Sequence, residues 1–402
     1  MTDGPLHRLR VVVTRPREQA ASLVEALERH GAEPIVVPTI AIEDPPDGGL
    51  ALRAGLRSLR ADDWVVITSP NGAARVGAVV AESPLAPGVK VAVVGPGTRA
   101  RAEAEGLSVD LMPDDVIAEG LVARFPARPA SGGRVVLARA EVARETLPVQ
   151  LTLMGWNVDD VVAYRTVAVE VDDAGAAACA AADAVAFTSG STVEGLVAAV
   201  GAAGLPPTVF AIGPATAEVA TGLGVDVDVV AAEHTIPGLV DSIRAFYVDR
   251  PYIHTEDAAS DDAQWCLEQY YADIDARFEG GLDLDTILTS DVDEISPPNG
   301  LFLVVRLDGA PVGCGCLKRT APGTVDIKRM WLSPAVRGRG MGRALLERLV
   351  DEARRLGYRQ VRLETNRALT EAISLYRAAG FVEVPAFNDE PHAHHWFALG
   401  LD

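Results

Sequence analysis

The first 246 residues of this 402-residue chain are written twice. DDWVVITSPNGAARVGAVV, from Asp62, returns as ADAVAFTSGSTVEGLVAAV, from Ala182; KVAVVGPGTRARAEAEGLSVDLMP, from Lys90, returns as TVFAIGPATAEVATGLGVDVDVV, from Thr208. Ser69 and Gly95 answer to Ser189 and Gly213, offsets of 120 and 118 residues. RVVVTRPREQAASLVEALERHGAE, from Arg10, likewise parallels RVVLARAEVARETLPVQLTLMGWN, from Arg134. A period this long marks a duplicated domain rather than a solenoid. Each copy alternates short β-branched runs with alanine-rich helical stretches, which predicts strand-helix-strand units around parallel sheets buried on both faces.

The whole chain is long enough for about two to four domains at roughly 150 residues each. It contains no run of eighteen apolar residues and so no membrane span by sequence. The opening MTDGPLHRLRVVV runs into a strand without an apolar signal region, and Cys179, Cys266, Cys314 and Cys316 are too scattered for a disulfide framework. A cytoplasmic setting is expected. A net charge of -20 argues against nonspecific binding to nucleic acid or anionic membrane.

In order, VTRP, ITSPNGA, VGPGT, a strand-end arginine with its helix, AYRTV, FTSGS, and AIGPATA followed by EHTIPGLV resemble the uroporphyrinogen-III synthase family over residues 8–246. The resemblance implies two similar open parallel-sheet α/β domains joined by a two-stranded ladder. One is discontinuous (1–38 and 169–246) and the other spans 39–168, with crossings near Pro38–Ile42 and Tyr164–Val169. It also implies a linear tetrapyrrole substrate, hydroxymethylbilane, cyclised without a cofactor. Strand-end turns opening onto helix N-termini suit such a polycarboxylate, because backbone N–H groups and hydroxyls hold carboxylates there. The candidates are Thr68, Ser69, Asn71, Gly72 and Thr98 in one domain, Thr188, Ser189, Ser191, Gly213 and Thr216 in the other, and Arg15 and Arg139 at matching strand ends. By resemblance, Tyr164 is the acid that assists the leaving hydroxyl. Each of these has a plainer alternative: a Ser or Thr after a strand caps a helix, glycine pairs form turns, and Tyr164 anchors the ladder. The second arginine turn reads ARAEVARETL, lacking the glycine common in relatives.

Residues 247–261 are polar, contain Pro251, and read as a linker. From Asp262 the pattern is one α/β domain, with a tight turn at Asp308-Gly309 and, between the strand DIKRMWL and a long amphipathic helix, the segment PAVRGRGMGRALL. Glycines there let backbone approach phosphate oxygens, the helix N-terminus offers unpaired N–H groups, and arginines add charge. The spacing fits neither the dinucleotide fingerprint nor the P-loop. Together with the strand order, it resembles the GNAT N-acetyltransferases over residues 262–402. That resemblance implies acetyl-CoA as co-substrate, held by Met330, Trp331, Leu332, Arg337, Gly338, Arg339, Gly340, Met341, Gly342 and Arg343, with Tyr376 protonating the departing sulfur. Asp326, Glu364 or ordered water would be the base. Where relatives carry an asparagine this chain has Leu369, and Asn366 is the candidate substitute.

Residues 247–297 hold fourteen Asp or Glu against two Arg, whereas residues 318–377 hold fourteen Lys or Arg against six acids. The anionic donor would meet the basic half, and the acidic half would draw a cationic amine or stand as solvated surface. Cys314 and Cys316 read as core, and His392, His394 and His395 as strand and loop residues, with no metal expected. Two functions follow: a tetrapyrrole cyclase fused to an acetyltransferase, or an acetyltransferase regulated by an inactive ligand-binding module. A periplasmic-type binding protein shares the two-lobed pattern but carries a signal segment.

Overall fold

The computed structural model describes residues 4–115, 117–130, 132–277 and 292–401. The chain forms β1 (Arg10–Val13) and β2 (Glu33–Val36), then crosses along β3 (Ile40–Glu43) into a second sheet. There it lays down β4 (Trp64–Ile67), β5 (Lys90–Val93), β6 (Arg134–Ala140) and β7 (Asn157–Ala168). It returns to complete the first sheet with β8 (Ala184–Phe187), β9 (Thr208–Ala211) and β10 (Val229–Val230). The spatial orders are β10-β9-β8-β1-β2 and β3-β7-β6-β4-β5. Every pairing is parallel except β3 with β7, where Ile40 to Glu43 run antiparallel to Ala168 to Arg165 as the two-stranded ladder. Strands such as WVVI and AVAF are buried throughout because helices cover both sheet faces.

The third sheet contains β11 (Tyr252–Glu256), β12 (Gly300–Leu307), β13 (Ala310–Ala321), β14 (Thr324–Leu332), β15 (Gln360–Thr365), β16 (Val382–Val384) and β17 (His395–Gly400). Their order is β11-β12-β13-β14-β15-β17-β16, with only β14 and β15 parallel. Asp308 and Gly309 both have positive φ, the geometry of a type I′ hairpin turn. The Met341–Arg355 helix buries Leu345, Leu346, Leu349, Val350 and Ala353 against this sheet. At about 2 kcal/mol for each large side chain, that stripe anchors the helix behind the loop it follows.

The segment read as a linker is folded structure. The Ile236–Val248 helix runs into it, and β11 pairs with β12 over five residues. Tyr252 packs into the core of the first domain beside Leu6, Leu9 and Tyr247, and its hydroxyl donates to His7 O at 2.7 Å. The polar letters of this stretch mislead because alternate side chains of β11, His254 and Glu256, are buried in a charged cluster. Arg306, wholly buried, donates to His254 Nε2 (2.8 Å), Gly309 O (2.9 Å), Glu256 Oε2 (2.7 Å) and Asp262 Oδ2 (2.7 Å). His7 and Arg8 of the first domain reach Asp262 and Glu256 at 3.8 and 3.9 Å.

Candidate functional site

In the C-terminal sheet, β14 and β15 pair only from Thr324–Asp326 to Gln360–Arg362. Beyond Asp326 they diverge, leaving the β15-facing edge of Ile327–Leu332 without a strand partner. A register shift between Cys314 and Cys316 and a left-handed Arg329 (φ 53°) mark the bulge that turns the strand. The chain then passes Gly338 (φ 74°) and Gly340 (φ 79°), conformations that favour glycine, and enters the helix at Met341. The Arg343 and Ala344 N–H groups bond Gly340 O, so those of Met341 and Gly342 precede the first intrahelical bond and point out of the N-terminus. Gly342 has ordinary backbone geometry, and a Cβ there would make only normal contacts with Leu375 and Leu332. The three arginines each have protein partners. Arg337 bonds Leu332 O (2.7 Å) and Asp273 (3.2 Å), Arg339 bonds Asp249 O (2.7 Å), and Arg343 bonds Glu347 (2.8 Å).

Tyr376 lies on the Thr370–Ala378 helix, its ring against Phe381 and Phe397 at 6.1 and 5.9 Å. Burial, with the Glu364 charge second, pushes its hydroxyl up to about 12, so it keeps its proton at neutral pH. Glu364 is buried, pairs with Lys328 from the opposite splayed strand, and accepts from Asn388 at 3.5 Å. Asp326, the other carboxylate considered as a base, sits where the strands are still paired and is bound by Arg362 (2.9 Å) and Thr320 (3.1 Å). Asn366 is engaged within the protein: its amide donates to His392 O (2.7 Å) and its carbonyl accepts from Ala368 N (2.9 Å), which holds a loop. Of the acidic stretch, residues 278–291 lie outside the described residues; Asp262 is paired with Arg306, and Asp273 with Arg337 and Arg277.

In the duplicated half, Tyr164 is buried at the point where β7 leaves β6 for the ladder. Its hydroxyl lies 3.0 Å from Ser69 Oγ, which accepts the Gly72 N–H at 3.1 Å and caps the Pro70–Glu82 helix. Gly72 keeps this corner open, since a Cβ there would come within 3.2 Å of Ala138 O and 3.4 Å of Ser69 Oγ. The next residue, Asn71, accepts from Gln19 of the Arg17–Glu28 helix at 2.8 Å, bringing two helix starts, one from each domain, face to face. Arg15 precedes that first-domain helix by two residues. It is half-buried, burial lowers its pKa, and among the described residues it has no hydrogen-bond or ion-pair partner.

Arg139, its counterpart, is not available. Its Nε and Nη2 grip Asp160, Nη2 also reaches Glu145 (2.9 Å), and Nη1 donates to Ala143 O (3.2 Å) and Arg144 O (3.1 Å). All five N–H donors are used, and the Asp160 hydrogen bonds raise its pKa. Thr98 and Thr216 are buried one turn into their helices. Thr68 and Thr188 are partly exposed at strand ends, and Ser189 Oγ faces Ser191 Oγ, in the first turn of the Gly190–Val200 helix, at 3.1 Å. Gly213 is crowded by the His234 ring, 3.1 Å from where a Cβ would stand. Gln19, Lys328 and the Arg306 cluster carried no local signal, because each is defined by partners far away in sequence.

Two family models match the chain: uroporphyrinogen-III synthase HemD over residues 21–241 and the acetyltransferase (GNAT) family over residues 261–381. A uroporphyrinogen-III synthase of Synechococcus elongatus is 30% identical over 264 residues, covering 60% of this chain and 97% of that protein. An IAA acetyltransferase of Azospirillum brasilense is 39% identical over 119 residues, covering 29% of this chain and 72% of that protein. A crystal structure of uroporphyrinogen III synthase from Thermus thermophilus aligns at 19% identity and a TM-score of 0.42, covering 59% of this chain and 98% of that one. The duplicated domains and the splayed sheet thus have named relatives, and the chain belongs to the uroporphyrinogen-III synthase family, with a GNAT-family acetyltransferase domain fused behind it.

Proposed function

We propose that the chain is a bifunctional enzyme. Residues 1–38 and 169–246, with 39–168 as the second domain, cyclise hydroxymethylbilane to uroporphyrinogen III; residues 262–402 transfer an acetyl group from acetyl-CoA to an amine. The observation that carries this reading is that one chain holds two differently equipped strand-end crevices. One has a phenol bonded to the serine that caps a helix, whose Asn71 meets the helix that follows an unpaired arginine; the other has a splayed sheet feeding a glycine-started helix.

In the first crevice, Arg15, Asn71 and the helix start at Ser189–Ser191 take substrate carboxylates. Tyr164 gives its proton to the hydroxyl of the substrate as the pyrrole nitrogen's electron pair expels it as water. The methylene carbon left behind is attacked by the substituted α-carbon of the far pyrrole; the bond from that carbon to its own methylene bridge then breaks and re-forms at the free α-carbon, which inverts the ring, and the proton lost there as aromaticity returns restores the phenol. That half needs no cofactor. In the second, acetyl-CoA supplies a thioester carbonyl for attack by the amine. The free edge at Met330–Leu332 binds its amides, the N–H groups at Gly338–Gly342 hold its phosphates, and Tyr376 returns a proton to the departing sulfur. Glu364, the carboxylate beside the splay, takes the proton of the amine. A cationic acceptor remains the substrate class this reading favours, drawn by the acidic stretch rather than by the already paired Asp262 and Asp273. Four unpaired buried thiols fit a reducing cytoplasm, and no described helix is long and apolar enough to cross a membrane.

The test uses the intact chain, because Tyr252 belongs to the core of the first domain. Hydroxymethylbilane should give the type III ring, and acetyl-CoA with an amine panel should release thiol. Only the spontaneous type I product would refute the first activity. The saturation of Arg139 favours the second reading, a regulatory module without cyclase activity; in that case bilane would alter acetyl transfer without being converted.

A further inference from the structure

The two copies of the duplicated domain differ at one equivalent place. Each crossing strand is preceded by a residue that reaches the first turn of a nearby helix: Thr39 before β3, and Tyr164 before the ladder part of β7. Thr39 Oγ1 donates to Thr192 O at 3.2 Å, on the Gly190–Val200 helix, whereas Tyr164 meets Ser69 Oγ at 3.0 Å. The serines differ as well. Ser69 Oγ accepts the Gly72 N–H, while Ser189 Oγ makes no cap bond and faces Ser191 instead. A serine retained only to cap would cap in both copies. It does so only where a phenol stands in front of it.

We infer that Ser69 is a positioning residue that orients the Tyr164 proton. The Gly72 N–H occupies one lone pair of Ser69 Oγ and fixes its rotamer, and in this assignment the serine O–H, 3.0 Å away, points at the phenol oxygen. The phenolic O–H is then left to face the crevice, where Gln19 and Asn71 bring the Arg15 helix alongside. When the tyrosine proton passes to the departing hydroxyl and the C–O bond breaks, the Ser69 O–H becomes the donor to the phenolate. The proton released at ring closure returns to it. This rests on the cyclase reading, and the experiment separates the two.

In the intact chain, Ser69→Ala should lower kcat for type III formation on the order of 10- to 100-fold with little change in KM, as expected when a proton donor is misaligned. Ser69→Thr, which keeps the hydroxyl, should restore most of it. In a Tyr164→Phe background the same Ser69→Ala change should have no further effect on kcat. A raised KM with kcat intact would make Ser69 a carboxylate contact and overturn the proposal, as would an equal kcat loss in both backgrounds. If the unmodified chain forms no type III ring, the cyclase reading fails separately. Tyrosine 13Cζ NMR still decides the role of Ser69. The resonance absent in Tyr164→Phe should move in Ser69→Ala and return in Ser69→Thr, and an unmoved resonance would overturn the assignment.

Discussion

Replacing Arg306 by methionine should destabilise the C-terminal half by about 3 kcal/mol, and the structure says where that cost arises. The guanidinium is wholly buried and serves two carboxylates and an imidazole. Asp262 is about one-third exposed and can turn to water, but Glu256 is 1% exposed and would keep a buried charge with only the part-exposed Arg8, 3.9 Å away, as its cation. Breaking such a pair from one side costs about 3–5 kcal/mol. The Ser260 hydroxyl still donates to Glu256 at 2.6 Å, which places the loss at the low end. Adding Glu256→Gln removes the stranded charge and should leave a deficit of only about 1–2 kcal/mol. The same cluster sets an acid dependence. Since Arg306 Nε can only donate, His254 Nε2 accepts and Nδ1 carries the proton toward Thr255 O. Burial first, then the Arg306 charge, hold His254 well below its ordinary value. The unfolded imidazole therefore takes up a proton near pH ~6.5 that the folded one refuses, and stability present above that pH is lost on acidification, by up to about 1.4 kcal/mol per unit. Without Arg306, His254 sits 3.3 Å from the Glu256 carboxylate and can protonate in place, so the variant should lose less on acidification. Urea unfolding at about pH 7.5 and about pH 5.5, with hydrogen exchange across β11 and β12 to localise the loss, measures both effects. A loss below about 1 kcal/mol, or no recovery with Glu256→Gln, would refute the reasoning.

Tyr376→Phe should lower kcat for acetyl transfer by about 100-fold or more with acetyl-CoA binding intact by calorimetry, since a buried phenol near 12 is a donor and not a phosphate contact. Gly340→Ala forces a β-carbon into φ 79° and should cost about 1–2 kcal/mol at the loop while raising KM for acetyl-CoA; steady-state kinetics check it. Arg15→Gln should raise KM for hydroxymethylbilane with no loss of thermal stability, whereas Arg139→Gln should lower the melting temperature by leaving the part-buried Asp160 without its cation. Paired thermal melts and cyclisation assays separate the two arginines, and equal behaviour would contradict their assigned roles.

The two arginines mark where sequence stops. VTRP and VVLARA end equivalent strands and look alike; Asp160 of a neighbouring strand, twenty-one residues on, together with Glu145 and the Ala143 and Arg144 carbonyls of the turn, consumes one guanidinium, and among the described residues nothing equivalent meets the other. The splay after Asp326 belongs to the same class. The letters DIKRMWL specify a strand, but its separation from β15 depends on a bulge opposite Cys314 and Cys316, so Glu364 reaches the splay and Asp326 does not.

What the sequence determined by itself was short-range and periodic: the duplication, the both-faces-buried strands, the Asp308-Gly309 turn, and the glycines that enter the Met341 helix. Each is set by backbone sterics or by side-chain spacing within a few residues. Tertiary structure decided the pairings that give those parts chemistry: Ser69 with Tyr164, Gln19 with Asn71, β11 at the sheet edge, and Arg306 among His254, Glu256 and Asp262. Hydrogen bonds and ion pairs join whatever the fold brings within about 3 Å, and a separation of 95 residues, as between Ser69 and Tyr164, leaves no local pattern to read.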